Sequence, residues 1–160
     1  MLEGFEEMKI LVVYYSRHGH TEIVGKKIAK KLWADIEEIK DTKDREHLVS
    51  WEKSSFDEEL RAPTRIEETR YNPGAYDLVV IGTPIWDGIS PPVRTYLMNN
   101  KFKKVAFFAT FGSAAEDAFY VMEKVSGKKP AAVLGVQDRQ IDLGDDKKLI
   151  KDFCKEIKRK

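Results

Sequence analysis

The residues best suited to chemistry stand together in Tyr15-Ser16-Arg17-His18-Gly19-His20-Thr21. Ser16 and Thr21 offer aliphatic hydroxyls, and His18 and His20 offer ring N–H donors that are neutral or charged according to pH. Gly19 lets the backbone come close to a ligand. The run before this turn, Lys9-Ile10-Leu11-Val12-Val13-Tyr14-Tyr15, is apolar and β-branched after its first residue. It reads as a strand buried on both faces. After the turn, Val24, Ile28 and Leu32 recur four apart with Ala29 beside them, the stripe of an amphipathic helix. A strand-to-helix junction has free backbone N–H groups and the positive end of the helix dipole, which together favour a phosphate. The same features also serve an ordinary capped turn, so the anion site stands here as one of two readings.

Two further stretches carry candidate ligand contacts. Thr83-Pro84-Ile85-Trp86-Asp87 follows the apolar run Asp77-Leu78-Val79-Val80-Ile81-Gly82. A tryptophan just past a buried strand reads either as a wall on which a flat ligand stacks or as a cap on the core. Thr110-Phe111-Gly112-Ser113 follows Lys104-Val105-Ala106-Phe107-Phe108-Ala109 and offers another aromatic. Ser113-Ala114-Ala115-Glu116 has the spacing of a capping box, with Gly127 ending the helix that it would start.

These three stretches need elements that bring them to one place. Ala34 to Ile39 is short and half polar, as an edge strand is. Residues 41–61 read as a charged helix anchored by Leu48, Val49, Trp51, Phe56 and Leu60. Residues 62–75 read as loop, closed by the turn signal Asn72-Pro73-Gly74. Ser90-Pro91-Pro92 opens a helix, with Ser90 as N-cap and Pro91 at the first helical position. Residues 131–136 form a fifth strand, and a last helix runs from Asp145 with Ile150, Phe153, Cys154 and Ile157 on one face. Five strands alternating with five helices predict an α/β fold, a mainly parallel sheet covered on both faces. Ligands in such sheets bind at the carboxyl ends of the strands, which singles out the three turns already named. One turn suited to phosphate and two with aromatic surface or polar backbone suit a phosphorylated planar cofactor.

Other α/β chemistries fail on the residues. A dinucleotide fingerprint needs three spaced glycines after the first strand, and only Gly19 lies in that turn. A P-loop needs four residues between its glycines, whereas Gly19 and Gly25 are separated by five and Lys26 is followed by Lys27. A phospho-accepting receiver domain needs acidic residues where Tyr14-Tyr15 and Ile81-Gly82 end their strands. A cysteine phosphatase needs its cysteine in the first turn, and the single cysteine is Cys154 on the last helix. No Gly-x-Ser-x-Gly elbow occurs.

Tyr14-Tyr15-Ser16-Arg17-His18-Gly19-His20-Thr21-Glu22 resembles the phosphate loop of the flavodoxin family, and Tyr76 to Trp86 resembles that family's third strand and first flavin loop. Pro92-Val93-Arg94-Thr95-Tyr96-Leu97 continues the likeness. The resemblance implies a three-layer sandwich around a five-stranded parallel sheet in order 2-1-3-4-5, in the short-chain form, binding FMN noncovalently. It carries the phosphate role to Ser16, Gly19 and Thr21 and the ring-contact role to Pro84, Ile85 and Trp86, with Arg17, His18, His20, Thr83 and Asp87 beside them. Thr110, Phe111, Gly112 and Ser113 take the third-loop role by position. His18 stands where the family usually has Ser or Thr, and the third loop lacks the family's frequent Tyr.

The chain has 160 residues and is expected to be a single domain, with residues 1–7 a frayed extension. Its 28 basic and 27 acidic residues leave a net charge of +1, so no global field calls for nucleic acid or an anionic membrane. No apolar run reaches spanning length, so no membrane insertion is expected. One cysteine excludes an intrachain disulfide and a cysteine-cluster metal site, and the expected compartment is cytoplasmic. His18 and His20 on one tight turn make a poor metal site. Two functions remain. The favoured one is an FMN electron-transfer protein that shuttles electrons between redox partner proteins. The alternative is an FMN-dependent NAD(P)H:quinone-type oxidoreductase on the same fold, with the flavin carrying the chemistry and no catalytic acid or base required.

Overall fold

The computed structural model describes residues 7–42 and 64–159. The predicted helix over 41–61, with all five of its anchors, lies almost wholly outside the described residues. Five strands form one sheet: β1 (Ile10–Tyr14), β2 (Asp35–Glu38), β3 (Leu78–Pro84), β4 (Val105–Phe111) and β5 (Val133–Gln137). The order is β2-β1-β3-β4-β5, and each neighbouring pair is parallel. Among the described residues five α-helices accompany it: α1 (His20–Leu32), α2 (Pro91–Asn99), α3 (Ala118–Ser126), α4 (Asp138–Asp142) and α5 (Lys147–Arg159). The sheet order and the parallel pairing agree with the sequence expectation.

Alternation along the strands divides the core into two layers. Ile10, Val12 and Tyr14 of β1, with Val80 and Phe108, face Val24 and Ile28 of α1 and Ile150, Phe153 and Ile157 of α5. Leu11 and Val13, with Val79, Ile81 and Phe107, face Val93, Tyr96 and Leu97 of α2 and Met122 of α3. Both faces are covered, so β1, β3 and most of β4 are buried without interruption, as their unbroken apolar runs require. Strand β2 is short and only half-buried, as an edge strand is.

Some boundaries differ from expectation. Helix α3 begins at Ala118, and its N-cap Asp117 makes no side-chain cap bond. The capping-box spacing at Ser113 and Glu116 is therefore not used. Glu116 sits at φ 53, a left-handed conformation that breaks the helix before it can start there. Gly127 does end α3, at φ 73. Pro91 opens α2 as expected, but the Ser90 hydroxyl donates to the Pro84 carbonyl and does not cap the helix. Helix α4 was not anticipated. It starts directly after β5 through a capping box in which Gln137 and Gln140 exchange side-chain and backbone bonds.

One packing contact governs how close α1 comes to the sheet. Gly82 is paired with Phe108 across β3 and β4, and the far end of the Phe108 ring fills the space above it. A Cβ at Gly82 would stand 2.0 Å from Phe108 Cζ. Gly25 on α1 rests on the same cluster, with a hypothetical Cβ 3.2 Å from Tyr14 Cδ1 and 3.4 Å from Phe108 Cζ. Phe108 is fully buried and has nowhere to move. Gly82→Ala should therefore cost about 1–3 kcal/mol by overpacking. Gly112→Ala, where a Cβ meets nothing within 4 Å, should be nearly neutral. Urea titrations of the two variants check this, and equal midpoints would exclude the contact as a constraint.

Cys154 is buried on α5 against the same layer. Burial pushes its thiol up from 9.0 to about 11, against the smaller opposing effect of Lys31 and Lys158. The native thiol keeps its proton while the unfolded chain loses one as pH rises from about 9 to about 11, so this group's contribution to stability falls across that window. A serine at position 154 removes the contribution. Unfolding titrations of both proteins between pH 8 and 11 should diverge, and parallel pH profiles would contradict it.

Candidate functional site

Register sets the geometry of the ligand side. Tyr14, Gly82 and Phe108 form a row across the sheet, and β3 and β4 run past that row to Pro84 and Phe111. The three loops leaving β1, β3 and β4 rise from this edge beside the N-terminus of α1. Arg17, His18, His20, Thr21, Pro84, Ile85, Trp86, Thr110, Gly112 and Asp138 line one cleft of about 250 Å³. Nine of these are residues expected from sequence, and Asp138 is new.

The first loop is built on Ser16. Its Oγ accepts the N–H of Gly19 at 3.1 Å and of Glu22 at 3.3 Å, closing the turn on itself. Gly19 stands at φ 100, where a side chain would be strained. Helix α1 starts with the bond from Ile23 N–H to the Gly19 carbonyl. The N–H groups of His20 and Thr21 meet no acceptor among the described residues. These orphan donors sit at the positive end of a 13-residue helix beside the cleft, and an anion can take them. Ser16 therefore organises the turn and does not itself line the cleft.

The Thr21 side chain points elsewhere. Its hydroxyl lies 2.7 Å from that of Thr110, both residues being fully buried, and this bond ties the first loop to the end of β4. The two imidazoles diverge. The His20 ring reaches Asp142 Oδ1 at 2.8 Å through Nε2 and lies 3.7 Å from Asp138 Oδ1 through Nδ1. His18 is exposed, and its ring centroid stands 5.4 Å from that of Trp86 at a 41° tilt. The Arg17 guanidinium lies over the Trp86 ring, 4.5 Å from its centroid, in cation–π geometry. Trp86 is half-buried and lines the cleft.

The second loop is pinned beneath Trp86. The buried Thr83 hydroxyl donates to the Pro84 carbonyl and accepts the Ser90 N–H at 3.1 Å. Thr83 thus holds the loop and lies outside the cleft lining. Asp87 is exposed at φ 104 and faces a neighbouring pocket with Gly88, Arg94, Glu116 and Asp117. In the third loop Thr110 and Gly112 reach the cleft, and Ser113 is exposed outside it. Phe111 turns toward β5, where a Cβ on Gly135 would come within 3.1 Å of its ring, and does not line the cleft.

Asp138 and Asp142 are the residues that sequence reading missed. They lie on α4, immediately past the carboxyl end of β5, where the parallel sheet places ligand-side groups. The signal that could have found them is the Gln137…Gln140 capping box, which starts a helix at that edge. Among the described residues no group of three His, Cys, Asp or Glu side chains is placed to hold a metal ion, and no helix is long and apolar enough to cross a membrane.

A doubly wound parallel sheet with a cleft between its first, third and fourth strand ends defines an α/β ligand-binding domain. A flavodoxin family model matches residues 9–153, and the chain belongs to the flavodoxin family. No curated protein matches it. Among solved structures, a Bacteroides eggerthii protein classed as a flavoprotein is 26% identical, with a TM-score of 0.69 over 82% of this chain and 88% of that one. A flavoprotein of Lactobacillus acidophilus in complex with FMN is 24% identical, with a TM-score of 0.62 over 84% and 97%. The Trp repressor binding protein of Bacillus subtilis shares 13% identity and the fold, with a TM-score of 0.57 over 91% and 97%.

The Thr21–Thr110 bond offers a direct test of how the loops are tied. Thr21→Val leaves the buried Thr110 hydroxyl without its partner and should cost about 1–3 kcal/mol. Adding Thr110→Val should return part of that loss, because both polar groups are then gone. A double-mutant cycle by chemical denaturation measures the coupling, and strictly additive losses would contradict it.

Proposed function

We propose that the chain is an FMN-binding electron-transfer protein that shuttles electrons between redox partner proteins in the cytoplasm. The observation that carries this reading is the pairing, in one cleft, of orphan helix amides with a half-buried tryptophan. The amides of His20 and Thr21 at the start of α1 suit a phosphate, and Trp86 offers a face to a flat ring. Membership of the flavodoxin family and the FMN complex of a relative support the same cofactor. Bound FMN would supply the electron-accepting and electron-donating chemistry. The chain's own part is to hold the phosphate with the first loop, to position the ring with the second, and to keep the third in register through Thr110.

The second reading is the FMN-dependent NAD(P)H:quinone-type oxidoreductase. Its specific support is the Arg17 guanidinium, which lies over Trp86 and lines the cleft. Anionic substrates suit such a wall better than they suit an acidic one. NADH or NADPH added to the FMN-loaded protein separates the two. Rapid anaerobic bleaching of the flavin absorbance favours the oxidoreductase, and bleaching only through an added reductase favours the carrier.

Trp86→Ala should weaken FMN by about 1–3 kcal/mol, one aromatic contact plus its buried area. It should also change the fluorescence of the bound flavin. Fluorescence titration of the apoprotein measures both. Unchanged affinity together with unchanged quenching would remove Trp86 from the binding site.

A further inference from the structure

Trp33 is 91% exposed, the most open large apolar side chain among the described residues. It closes α1 in a left-handed conformation, φ 54, with its N–H bonded to the Ala29 carbonyl. That position suits glycine, and a residue with a Cβ pays free energy to adopt it. The fold thus offers Trp33 neither a backbone that prefers it nor a contact that buries it. Its surroundings are basic. The five strands are parallel, so their first residues and the last turns of α1, α2, α3 and α5 share the sheet edge opposite the cleft. Lys30 and Lys31 fill the last turn of α1 beside Trp33, and Lys158 and Arg159 that of α5. The two helices pack together, and Lys31 and Lys158 both act on the buried Cys154 thiol between them. Farther along the edge, Lys101 and Lys103 before β4 and Lys128 and Lys129 before β5 are exposed. The acids there are fewer: Glu7, Asp35, Asp77, Glu123 and Glu156. Counted in full, they leave this edge positive among the described residues, although the whole chain carries only +1.

We propose that this edge is a docking surface for an anionic lipid bilayer, with Trp33 seated among the headgroups and the lysines held over them by charge. The inference goes beyond the FMN reading and holds whatever the cleft binds. A tryptophan ring is apolar with a polar N–H, so it settles at a membrane interface without needing a complementary pocket. That suits a single ring projecting from the end of a helix. Lysine is a compact, hydrated charge that answers a diffuse anionic layer, whereas arginine grips paired oxygens. The cations named at this edge are lysines except for Arg159. An aromatic anchor and a basic patch are together the two signals that reversible attachment requires. The cleft stands at the opposite edge of the sheet, so the docked molecule keeps it open to solution. A redox partner seated on the lysine edge would instead face away from the cleft.

The test is co-sedimentation of the full chain with vesicles of mixed phosphatidylcholine and phosphatidylglycerol in about 0.1 M salt, where charge acts over about 10 Å. The wild type should bind them, and should bind pure phosphatidylcholine vesicles at least about tenfold more weakly. Lys30→Gln with Lys31→Gln should weaken binding by about tenfold or more, from about fivefold for each lysine near an anionic surface. Trp33→Gly should weaken it about tenfold, one ring withdrawn from the interface. Its urea unfolding midpoint should be no lower than that of the wild type, because glycine suits the left-handed position. Raising the salt to about 1 M should release most of the bound protein. The proposal is overturned if the wild type stays in the supernatant, or if it binds neutral and anionic vesicles alike. Unchanged binding by Trp33→Gly overturns it, and so does a fallen midpoint, which would make Trp33 a structural residue. Equal affinity for duplex DNA at the same salt would replace the bilayer with any polyanion. A wild-type dimer that Trp33→Gly abolishes without vesicles present would replace it with a second copy of this chain.

Discussion

The contact between Phe108 and the two glycines beneath it holds the ligand side of this molecule together. Gly82 leaves room for the end of the Phe108 ring on β3, and Gly25 lets α1 settle on that ring and on Tyr14. A Cβ at Gly82 would run into the Phe108 ring and one at Gly25 would press on Tyr14, so both crowd the seat of α1 and of its first turn. That turn carries the orphan amides, the hydroxyl that bonds Thr110, and the imidazole that reaches α4. A buried packing contact thus fixes the height of a polar loop, because close-packed interiors transmit volume changes rather than absorb them.

The loops are then locked by short polar ties of different kinds. Ser16 closes the first loop on itself, Thr83 holds the second, and the Thr21–Thr110 bond joins the first to the third. Ser16 and Thr83 lie outside the cleft lining, and Thr21 and Thr110, which belong to it, bond their hydroxyls to each other. Hydroxyls that resemble ligand contacts in the sequence serve here to hold the backbone so that amides and rings can be presented. Buried polar groups must be satisfied, so these ties are costly to break and define one loop arrangement.

Charge around the cleft is divided between its two ends. At the α1 end, the helix dipole and two open amides are positive while Asp138 and Asp142 on α4 are negative, with the His20 ring between them. At the Trp86 end, the Arg17 guanidinium lies over the indole. The fold leaves this distribution free to vary, since one α/β scaffold hosts many sites.

The sequence by itself determined the sheet, its parallel sense and the three loops that matter. Unbroken apolar runs at 10–14 and 78–82 can be buried only on both faces, and short connections between strands and helices leave one ligand edge. Nine of the ten cleft residues follow from that edge alone. Local signals failed where they compete with tertiary contacts. The Ser113 capping box is overruled because Glu116 turns left-handed, and Ser90 spends its hydroxyl on Pro84 instead of on its helix. Only the tertiary structure decided which way each side chain turns. Thr21 goes inward to Thr110, Phe111 toward β5, His20 to α4 and Arg17 onto Trp86. Each of these partners is distant in sequence and is brought near by strand order. Side-chain direction depends on neighbours that periodicity cannot name, whereas the sheet depends on burial, which periodicity reports directly.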